Sequence, residues 1–220
     1  ESCVMNNGFS TGYFNVQRGV KQGDPLSAYL FILALELLAI HVRSNERIKG
    51  IKYFSDVIKL SIYADDMTVF ASDTDDAEHM FKILKKFELV SGLSINVDKT
   101  EAMWLGSFKG RRFKPLGVRW KDVIKITGVN FSYNRELCIE YNFEPIVNSI
   151  ERMCRIWQMR GLTIIGKINV LRTFAVSKLN FVCNMVSIPK ATIKKVNSLL
   201  YNFLWNSPIH KVKRLAIIAS

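Results

Sequence analysis

The first long hydrophobic pattern follows Asp24 and Pro25. Apolar residues recur there every three or four positions to about Arg43, which predicts an α-helix with Asp24 as its N-cap and Pro25 in its first turn. Four leucines share one side of this helix: Leu26, Leu30, Leu33 and Leu37. The longest apolar run, residues 28–42, is shorter than the roughly 20 residues of a membrane span. We therefore expect a buried core helix and no membrane association.

Runs rich in β-branched and aromatic residues indicate strands. Residues 57–63 and 67–71 are two such runs, separated only by residues 64–66, and this arrangement predicts a β-hairpin. Shorter runs at 102–105 and 123–131 predict further strands. The first part of the chain thus alternates helices and strands.

From about residue 141 onward, the pattern is helical only. The mixed part before it also contains a helix that begins near Asp75 and Asp76 and ends at Gly92. Gly161 and Pro189 then separate three helical segments: residues 143–160, 165–185 and 190–205. The pattern predicts an α+β unit followed by a small helical unit.

Composition supports a folded protein and adds an asymmetry of charge. The chain has 220 residues, of which 49% are hydrophobic, enough for one or two domains. It begins with Glu1 rather than methionine, so we expect part of a longer polypeptide. Residues 1–110 contain 12 basic and 14 acidic residues, whereas residues 111–220 contain 19 basic and 5 acidic residues. The second half therefore suits a polyanionic partner such as nucleic acid, although a solvated lysine-rich surface would have the same composition.

Cysteine and histidine spacing excludes the common metal and nucleophile patterns. The four cysteines are scattered without zinc-ligand spacing and are expected to stay reduced; they are Cys3, Cys138, Cys154 and Cys183. The three histidines form no cluster. No signal-peptide pattern opens the sequence, and we expect an intracellular protein of the nucleus or cytoplasm.

The clearest candidate for chemistry is the pair Asp65 and Asp66 at the tip of the predicted hairpin. Adjacent carboxylates repel each other, and either solvent in a turn or a bound cation can offset that repulsion. Hard cations such as Mg²⁺ bind carboxylate oxygens and keep water ligands that substrate phosphates can replace. Two such ions catalyse phosphoryl transfer to a growing strand.

Five segments occur in the order found in the reverse transcriptases of non-LTR (LINE-type) retrotransposons. Gln-Gly-Asp-Pro-Leu-Ser at 22–27 resembles that family's template- and nucleotide-positioning motif, and Tyr-Ala-Asp-Asp at 63–66 resembles its catalytic hairpin. Residues 92–101 are similar to the next palm motif, and residues 126–129 resemble the strand that grips the primer. The segments that resemble its helical thumb are Trp157, Gly166-Lys167, Ser177-Lys178-Leu179, Pro189 and Phe203-Leu204-Trp205.

The resemblance implies a fold and an activity. It implies part of a polymerase palm at residues 1–140, a ferredoxin-like antiparallel sheet with helices, followed by an all-helical thumb at residues 141–220. The implied activity is RNA-directed DNA polymerisation, with an RNA template, a DNA primer, deoxynucleoside triphosphates and two Mg²⁺ ions, or Mn²⁺ in their place.

The resemblance also implies a role for each matching residue. The catalytic residues would be Asp65 and Asp66, which hold the metals, and Lys99, which neutralises the departing pyrophosphate. Residues that position nucleotide and template would be Gln22, Gly23, Ser27 and Tyr63. Gly128 and Val129 would form the primer grip. The duplex-binding residues would be Arg155, Lys167, Arg172 and Lys178, each of which is equally well explained as a solvated surface cation.

One carboxylate of the family pattern has no counterpart in the sequence. The two-metal site requires a further aspartate on a strand before the motif at 22–27, and Glu1 is the only acid in residues 1–21. We therefore expect this chain alone to be inactive. The alternative is a noncatalytic nucleic-acid-binding remnant of a retroelement. An unrelated Mg²⁺-dependent phosphohydrolase would leave the basic second half unexplained.

Overall fold

The structure is a computed structural model that describes residues 1–16, 19 and 23–206. The chain forms two units whose sequences interleave: residues 1–101 with 112–119, and residues 102–111 with those from 120 onward. Helices alternate with five small antiparallel sheets of two strands each in the described part of the chain. The α+β class is therefore confirmed, whereas the ferredoxin-like palm and the division at residue 140 remain predictions.

Among the described residues, the first unit contains two long helices and three hairpins. The helices are α1 (Pro25–Ser44) and α2 (Thr74–Ser91). The strands are β1 (Met5–Asn6), β2 (Phe9–Ser10), β3 (Ile51–Tyr53), β4 (Asp56–Ile58), β5 (Leu60–Tyr63) and β6 (Asp66–Val69). Its core consists of Leu38, Ala39, Val42, Ile48, Leu60, Met80, Ile83 and Leu84.

Helix α1 begins where the sequence predicts, but it buries a different face. The Asp24 side chain accepts a hydrogen bond from the backbone N–H of Leu26, and Pro25 occupies the first turn. The expectation of a buried core helix is wrong within this chain, because only Ser27, Leu38, Ala39 and Val42 of α1 are buried. The four leucines named above are exposed. By length and apolar composition alone, α1 also qualifies as a helix able to cross a membrane, as core helices of soluble proteins do.

The predicted strand at residues 57–63 is divided at Lys59. Strand β4 pairs with β3, and β5 pairs with β6. The Nζ of Lys59 donates hydrogen bonds of 2.8 Å to the backbone carbonyls of Arg43 and Asn45. A lysine is favourable there, because the last carbonyls of a helix lack partners within the helix and carry partial negative charge. Lys59 thus holds the C-terminal end of α1 against the hairpins.

Helix α2 is stabilised at its N-terminal end by two aspartates. The Asp73 side chain caps the helix by accepting a hydrogen bond from the N–H of Asp76, and this bond together with one from Lys49 lowers the pKa of Asp73. The buried carboxylate of Asp76 accepts hydrogen bonds from the backbone of Lys49, Gly50 and Ser72. Gly92, with φ of 72°, ends the helix as the sequence predicts.

The second unit is mainly helical. A hairpin of β9 (Val123–Ile126) and β10 (Val129–Ser132) precedes helix α3 (Arg135–Gln158). The sheet of β7 (Glu101–Ala102) and β8 (Arg119–Trp120) contains residues of both units. The remaining helices are α4 (Ile164–Val170), a π-helical segment (Leu171–Val176), α5 (Ser177–Cys183) and α6 (Lys190–Trp205). Their core consists of Val147, Ile150, Met153, Cys154, Val170, Ala175, Val196 and Phe203.

Helix α3 begins eight residues before its predicted start and contains a proline. The Asn134 side chain caps it. Pro145 has no N–H to donate to the carbonyl of Tyr141, four residues earlier, and the side-chain amide of Asn130 donates to that carbonyl instead, at 3.0 Å. A hydrogen bond from the neighbouring strand therefore replaces the one that proline removes.

Asn142 joins α3 to β10 by a second set of hydrogen bonds. Its side chain is 4% exposed. The Oδ1 accepts from the N–H of Asn130, and the Nδ2 donates to the carbonyls of Asn130 and Cys138. Asn142 therefore pairs with both backbone groups of Asn130, as a neighbouring strand would.

Candidate functional site

The two carboxylates at the hairpin tip are held by a two-residue turn. Tyr63 pairs with Asp66 at the ends of β5 and β6, so only Ala64 and Asp65 form the turn. The β-branched and apolar residues of the two strands pack one face of the hairpin on the core of the first unit, through Leu60 and its neighbours. The turn therefore projects from a supported hairpin.

Ala64 carries backbone strain directly before Asp65. Its φ of 52° lies in the left-handed region, which a side chain makes unfavourable and which glycine adopts readily. Such residues cost on the order of 1–3 kcal/mol and occur preferentially at functional sites. The hairpin therefore holds Ala64 in a backbone conformation that alanine does not favour.

Both carboxylates are exposed to solvent, and so is Tyr63, at 72%. Asp65 and Asp66 are hard oxygen donors of the type that Mg²⁺ prefers. The structure groups no three histidine, cysteine, aspartate or glutamate side chains as a metal site among the described residues. The pair can supply some of the oxygen ligands of a metal site, since both carboxylates lie at the end of one hairpin.

The predicted nucleotide- and template-positioning residues have different surroundings. Gln22 lies outside the described residues. Gly23 is exposed and has a φ of 86°, a conformation that explains why glycine precedes the cap of α1. Ser27 is buried in the first turn of α1, so its side chain presents little surface to a template strand.

The predicted pyrophosphate-neutralising residue, Lys99, lies in a turn after α2. Its N–H donates to the backbone carbonyl and to the side-chain Oδ1 of Asn96. The residue itself is exposed. The backbone of Lys99 is thus fixed while its side chain faces solvent.

A second tight turn, Thr127-Gly128, connects β9 and β10. Both residues have positive φ, 44° and 89°, which is typical of two-residue hairpin turns. A Cβ on Gly128 would lie 3.3 Å from the ring of Phe181, so glycine also permits the close approach of α5. Gly128 and Lys178 line the same open cleft, whose volume is about 430 Å³.

Val129, the second residue of the predicted primer grip, is placed differently. Its side chain has no exposed surface. The side chain presents no surface to a primer within this chain, and the role of Val129 in the primer grip stays a prediction. Val129 directly follows the Thr127-Gly128 turn and faces the buried side of its hairpin, since alternate residues of a strand face opposite sides.

The four predicted duplex-binding cations divide into three exposed residues and one buried residue. Arg155 is exposed and forms an ion pair with Glu151, Arg172 is exposed on the π-helical segment, and Lys178 is exposed and donates to the Ser149 hydroxyl. These three remain available at the surface.

Lys167, the fourth predicted duplex-binding cation, is buried among the helices. It is 5% exposed, and its ammonium donates to the carbonyls of Phe203 and Leu204 and to the Oδ1 of Asn206. Burial lowers the pKa of Lys167. Its charge stabilises the C-terminal end of α6, where carbonyls without partners in the helix carry partial negative charge, and its role in duplex binding stays a prediction.

Sequence reasoning missed the burial of Asn142 and Asp76, whose side chains hold α3 and α2 to neighbouring segments by hydrogen bonds. Neither belongs to a recognisable motif, since asparagine and aspartate are ordinary surface residues. The available signals were the position of Asn142 on an otherwise apolar helix face and that of Asp76 in the first turn of a helix.

Comparison with known proteins gives the family. A model of the reverse transcriptase (RNA-dependent DNA polymerase) family matches residues 2–131. The chain is 28% identical over 212 residues to the transposon TX1 uncharacterized 149 kDa protein of Xenopus laevis, covering 93% of this chain and 16% of that protein. It is 33% identical over 98 residues to the Pol polyprotein of the type-2 retrotransposable element R2DM of Drosophila melanogaster, covering 44% of this chain and 9% of that protein.

A third relative matches most of the chain. The Pol polyprotein of the type-1 retrotransposable element R2 of Popillia japonica is 24% identical over 200 residues, covering 88% of this chain and 28% of that protein. The chain thus spans less than a third of each of these relatives. The resemblance to non-LTR enzymes is confirmed, and the chain belongs to the reverse transcriptase (RNA-dependent DNA polymerase) family.

Proposed function

We propose that this chain is the later part of the polymerase domain of a LINE-type reverse transcriptase. It would comprise the second half of the palm, residues 1–140, and a helical thumb, residues 141–220. The observation that carries the proposal is the pair of exposed carboxylates at a strained two-residue turn, within the stretch that matches the family. The reaction is RNA-templated DNA synthesis inside the cell, in the nucleus or cytoplasm.

Asp65 and Asp66 would hold Mg²⁺ on the exposed side of the hairpin. When bound there, the metal would supply positive charge that activates a primer 3′-hydroxyl and neutralises a deoxynucleoside triphosphate. Tyr63, on the strand beside them, offers an exposed aromatic ring to the primer terminus. The exposed cation of Lys99 is suited to the negative charge that develops on the departing pyrophosphate.

The helical residues would bind the duplex of template and primer. Arg155, Arg172 and Lys178 are exposed cations on three helical segments, and phosphate contacts of this kind position a duplex without reading its sequence. Gly128 lines the same cleft as Lys178, which makes the cleft a candidate for the primer grip.

Two carboxylates on one hairpin supply few fixed oxygens for two ions and a triphosphate. The family pattern adds a carboxylate from a separate strand. We therefore propose that residues 1–220 alone do not polymerise, and that a chain extended upstream in its own reading frame does.

Primer extension on an RNA template tests this proposal. The extended chain should add nucleotides with Mg²⁺ or Mn²⁺, and residues 1–220 alone should add none. Templated synthesis by residues 1–220 would show that the site is complete without another strand. Duplex binding without synthesis by the extended chain would instead support a noncatalytic remnant of a retroelement.

Duplex binding tests the role of the helices separately. The affinity of residues 1–220 for a primer–template duplex should fall steeply with salt, with a log–log slope of about −0.9 per phosphate neutralised on B-form DNA. Replacing Arg172 and Lys178 together by glutamine should flatten that slope. An unchanged slope would remove these two residues from the interface.

A further inference from the structure

A ladder of aromatic rings in the second unit ends in an arginine. Trp120 stacks on Trp104 with ring centroids 4.1 Å apart, and Trp104 stacks on Phe108 at 5.7 Å. The guanidinium carbon of Arg111 lies 4.0 Å from the centroid of the Phe108 ring. We call these four residues the aromatic ladder.

The local sequence explains how Arg111 returns over Phe108. Residues 108–111 form a tight turn in which the N–H of Arg111 donates to the carbonyl of Phe108 at 3.3 Å. Gly110, with φ of 71°, supplies the left-handed residue that such a reversal needs. The guanidinium is therefore placed on the ring by the backbone as well as by attraction to its face.

The ladder lies in the most uniformly basic stretch of the mixed part of the chain. Residues 102–121 contain no aspartate or glutamate. They contain six cations: Lys109, Arg111, Arg112, Lys114, Arg119 and Lys121. Lys109 lies 5.7 Å from the ring centroid of Tyr133, a second cation beside an aromatic face.

We propose that the aromatic ladder binds single-stranded nucleic acid, with a base stacked on the exposed guanidinium of Arg111 and phosphates beside Lys109. Alternation of stacking planes with cations suits an unpaired strand, because its bases are free to stack while its phosphates stay near the positive charge. A duplex hides its base faces and suits the ladder less. An acidic peptide would use the charge but not the stacking planes.

The proposal goes beyond polymerase activity and needs neither a complete metal site nor a duplex. It assigns a binding role to residues outside the five segments that resemble the family motifs. Absence of single-strand binding by the ladder would not change the result of primer extension. Absence of primer extension would likewise leave single-strand binding by the ladder measurable.

Fluorescence anisotropy of labelled 12-mers on residues 1–220 tests the proposal. Oligo(dT) should bind about tenfold more tightly than an abasic 12-mer, which has the same phosphates without bases, since stacking contributes about 1–3 kcal/mol per base. Oligo(U) in place of oligo(dT) distinguishes RNA from DNA as the strand that the ladder prefers. Equal affinity for the abasic and base-containing strands would overturn the proposal.

Two variants locate the effect on the ladder. Arg111→Lys keeps the charge but removes the planar guanidinium, and Phe108→Leu removes the ring beneath it. Each should reduce the affinity for oligo(dT) about tenfold while leaving that for the abasic strand unchanged. Arg152→Lys, the same exchange at an exposed position of α3, is the matched control and should bind as the parent chain does.

Two further measurements show whether the Arg111→Lys variant is folded and whether the ladder distinguishes nucleic acid from another polyanion. Arg111 is exposed, so Arg111→Lys should keep the circular dichroism spectrum and melting temperature of the parent. A folded Arg111→Lys chain with unchanged preference for base-containing strands would overturn the proposal. Displacement of oligo(dT) by polyglutamate at the same charge concentration would also overturn it and indicate a site for acidic chains.

Discussion

The hairpin of β5 and β6 and the helices α3 to α6 place their polar groups in opposite ways. The hairpin exposes Asp65 in its two-residue turn and Asp66 at the start of β6, and it carries strain at Ala64. The helices bury Asn142 and Lys167, and every polar atom of these two side chains has hydrogen-bond partners. The groups proposed to bind a metal are exposed, and the groups that support the fold are enclosed. A substitution should therefore affect activity in the first region and stability in the second.

The largest effect is expected at Asp65. In a polymerase that contains this chain together with its upstream sequence, Asp65→Asn should lower the rate of nucleotide addition at least 100-fold, since it removes a metal-binding charge. The melting temperature should be unchanged, because the side chain is exposed. Primer extension and thermal melts measure the two quantities.

Asp56→Asn is the control for this variant, as Asp56 is an exposed carboxylate on β4 in the same unit. It should retain full activity. Near-normal extension by Asp65→Asn would mean that the hairpin has only a structural role, and the contrast between the two regions would disappear.

The next effect is expected at Lys167. Lys167→Met should lower the free energy of unfolding by about 3 kcal/mol, because it leaves the acceptors of Phe203, Leu204 and Asn206 without their charged donor. Urea denaturation measures the change. Lys195→Met, at an exposed position of α6, should cost under about 0.5 kcal/mol. Equal costs for the two would show that the buried ammonium does not support α6.

A smaller loss is expected at Asn142. Asn142→Ala should lower the free energy of unfolding by about 2 kcal/mol, since the N–H and carbonyl of Asn130 lose their partner. Asn148→Ala, on the exposed side of α3, is the matched control. A cost within about 0.5 kcal/mol of that control would indicate that water replaces the amide.

The smallest effect has the opposite sign. Ala64→Gly should raise the free energy of unfolding by about 1 kcal/mol, because glycine adopts the φ of 52° without strain. The same variant should add nucleotides more slowly if the strain positions Asp65. A loss of stability on this substitution would show that the alanine methyl group contributes more by packing than it costs in the turn.

Helix ends could be predicted from the sequence because they depend on neighbouring residues. The faces that helices bury could not, because burial depends on contacts between residues far apart in the sequence. Asp24 and Gly92 act on neighbouring backbone, so the start of α1 and the end of α2 follow from short segments of sequence. Helix α6 likewise has the predicted bounds, Lys190–Trp205. Helix α1 is apolar on all sides, and periodicity alone did not show that Leu38 and Val42 face the core.

The residues of the candidate site also divide into those identifiable from neighbouring residues and those whose surroundings depend on distant residues. The Tyr-Ala-Asp-Asp hairpin was identifiable because its chemistry lies in consecutive residues. Lys167 has the appearance of a surface cation in the sequence, since its acceptors lie 36 to 39 residues away. Val129 likewise looks like any strand residue in the sequence, and its burial depends on the residues that pack against it.

The burial of Cys154 in the helical core gives the protein an internal reporter of local opening. Burial raises the pKa of this thiol to about 11, so it is neither ionised nor accessible at neutral pH in the folded state. Cys3 and Cys183 are exposed and accessible to a thiol reagent in the folded chain. The rate at which Cys154 is alkylated therefore measures how often the helices separate, independently of the hairpin and its chemistry.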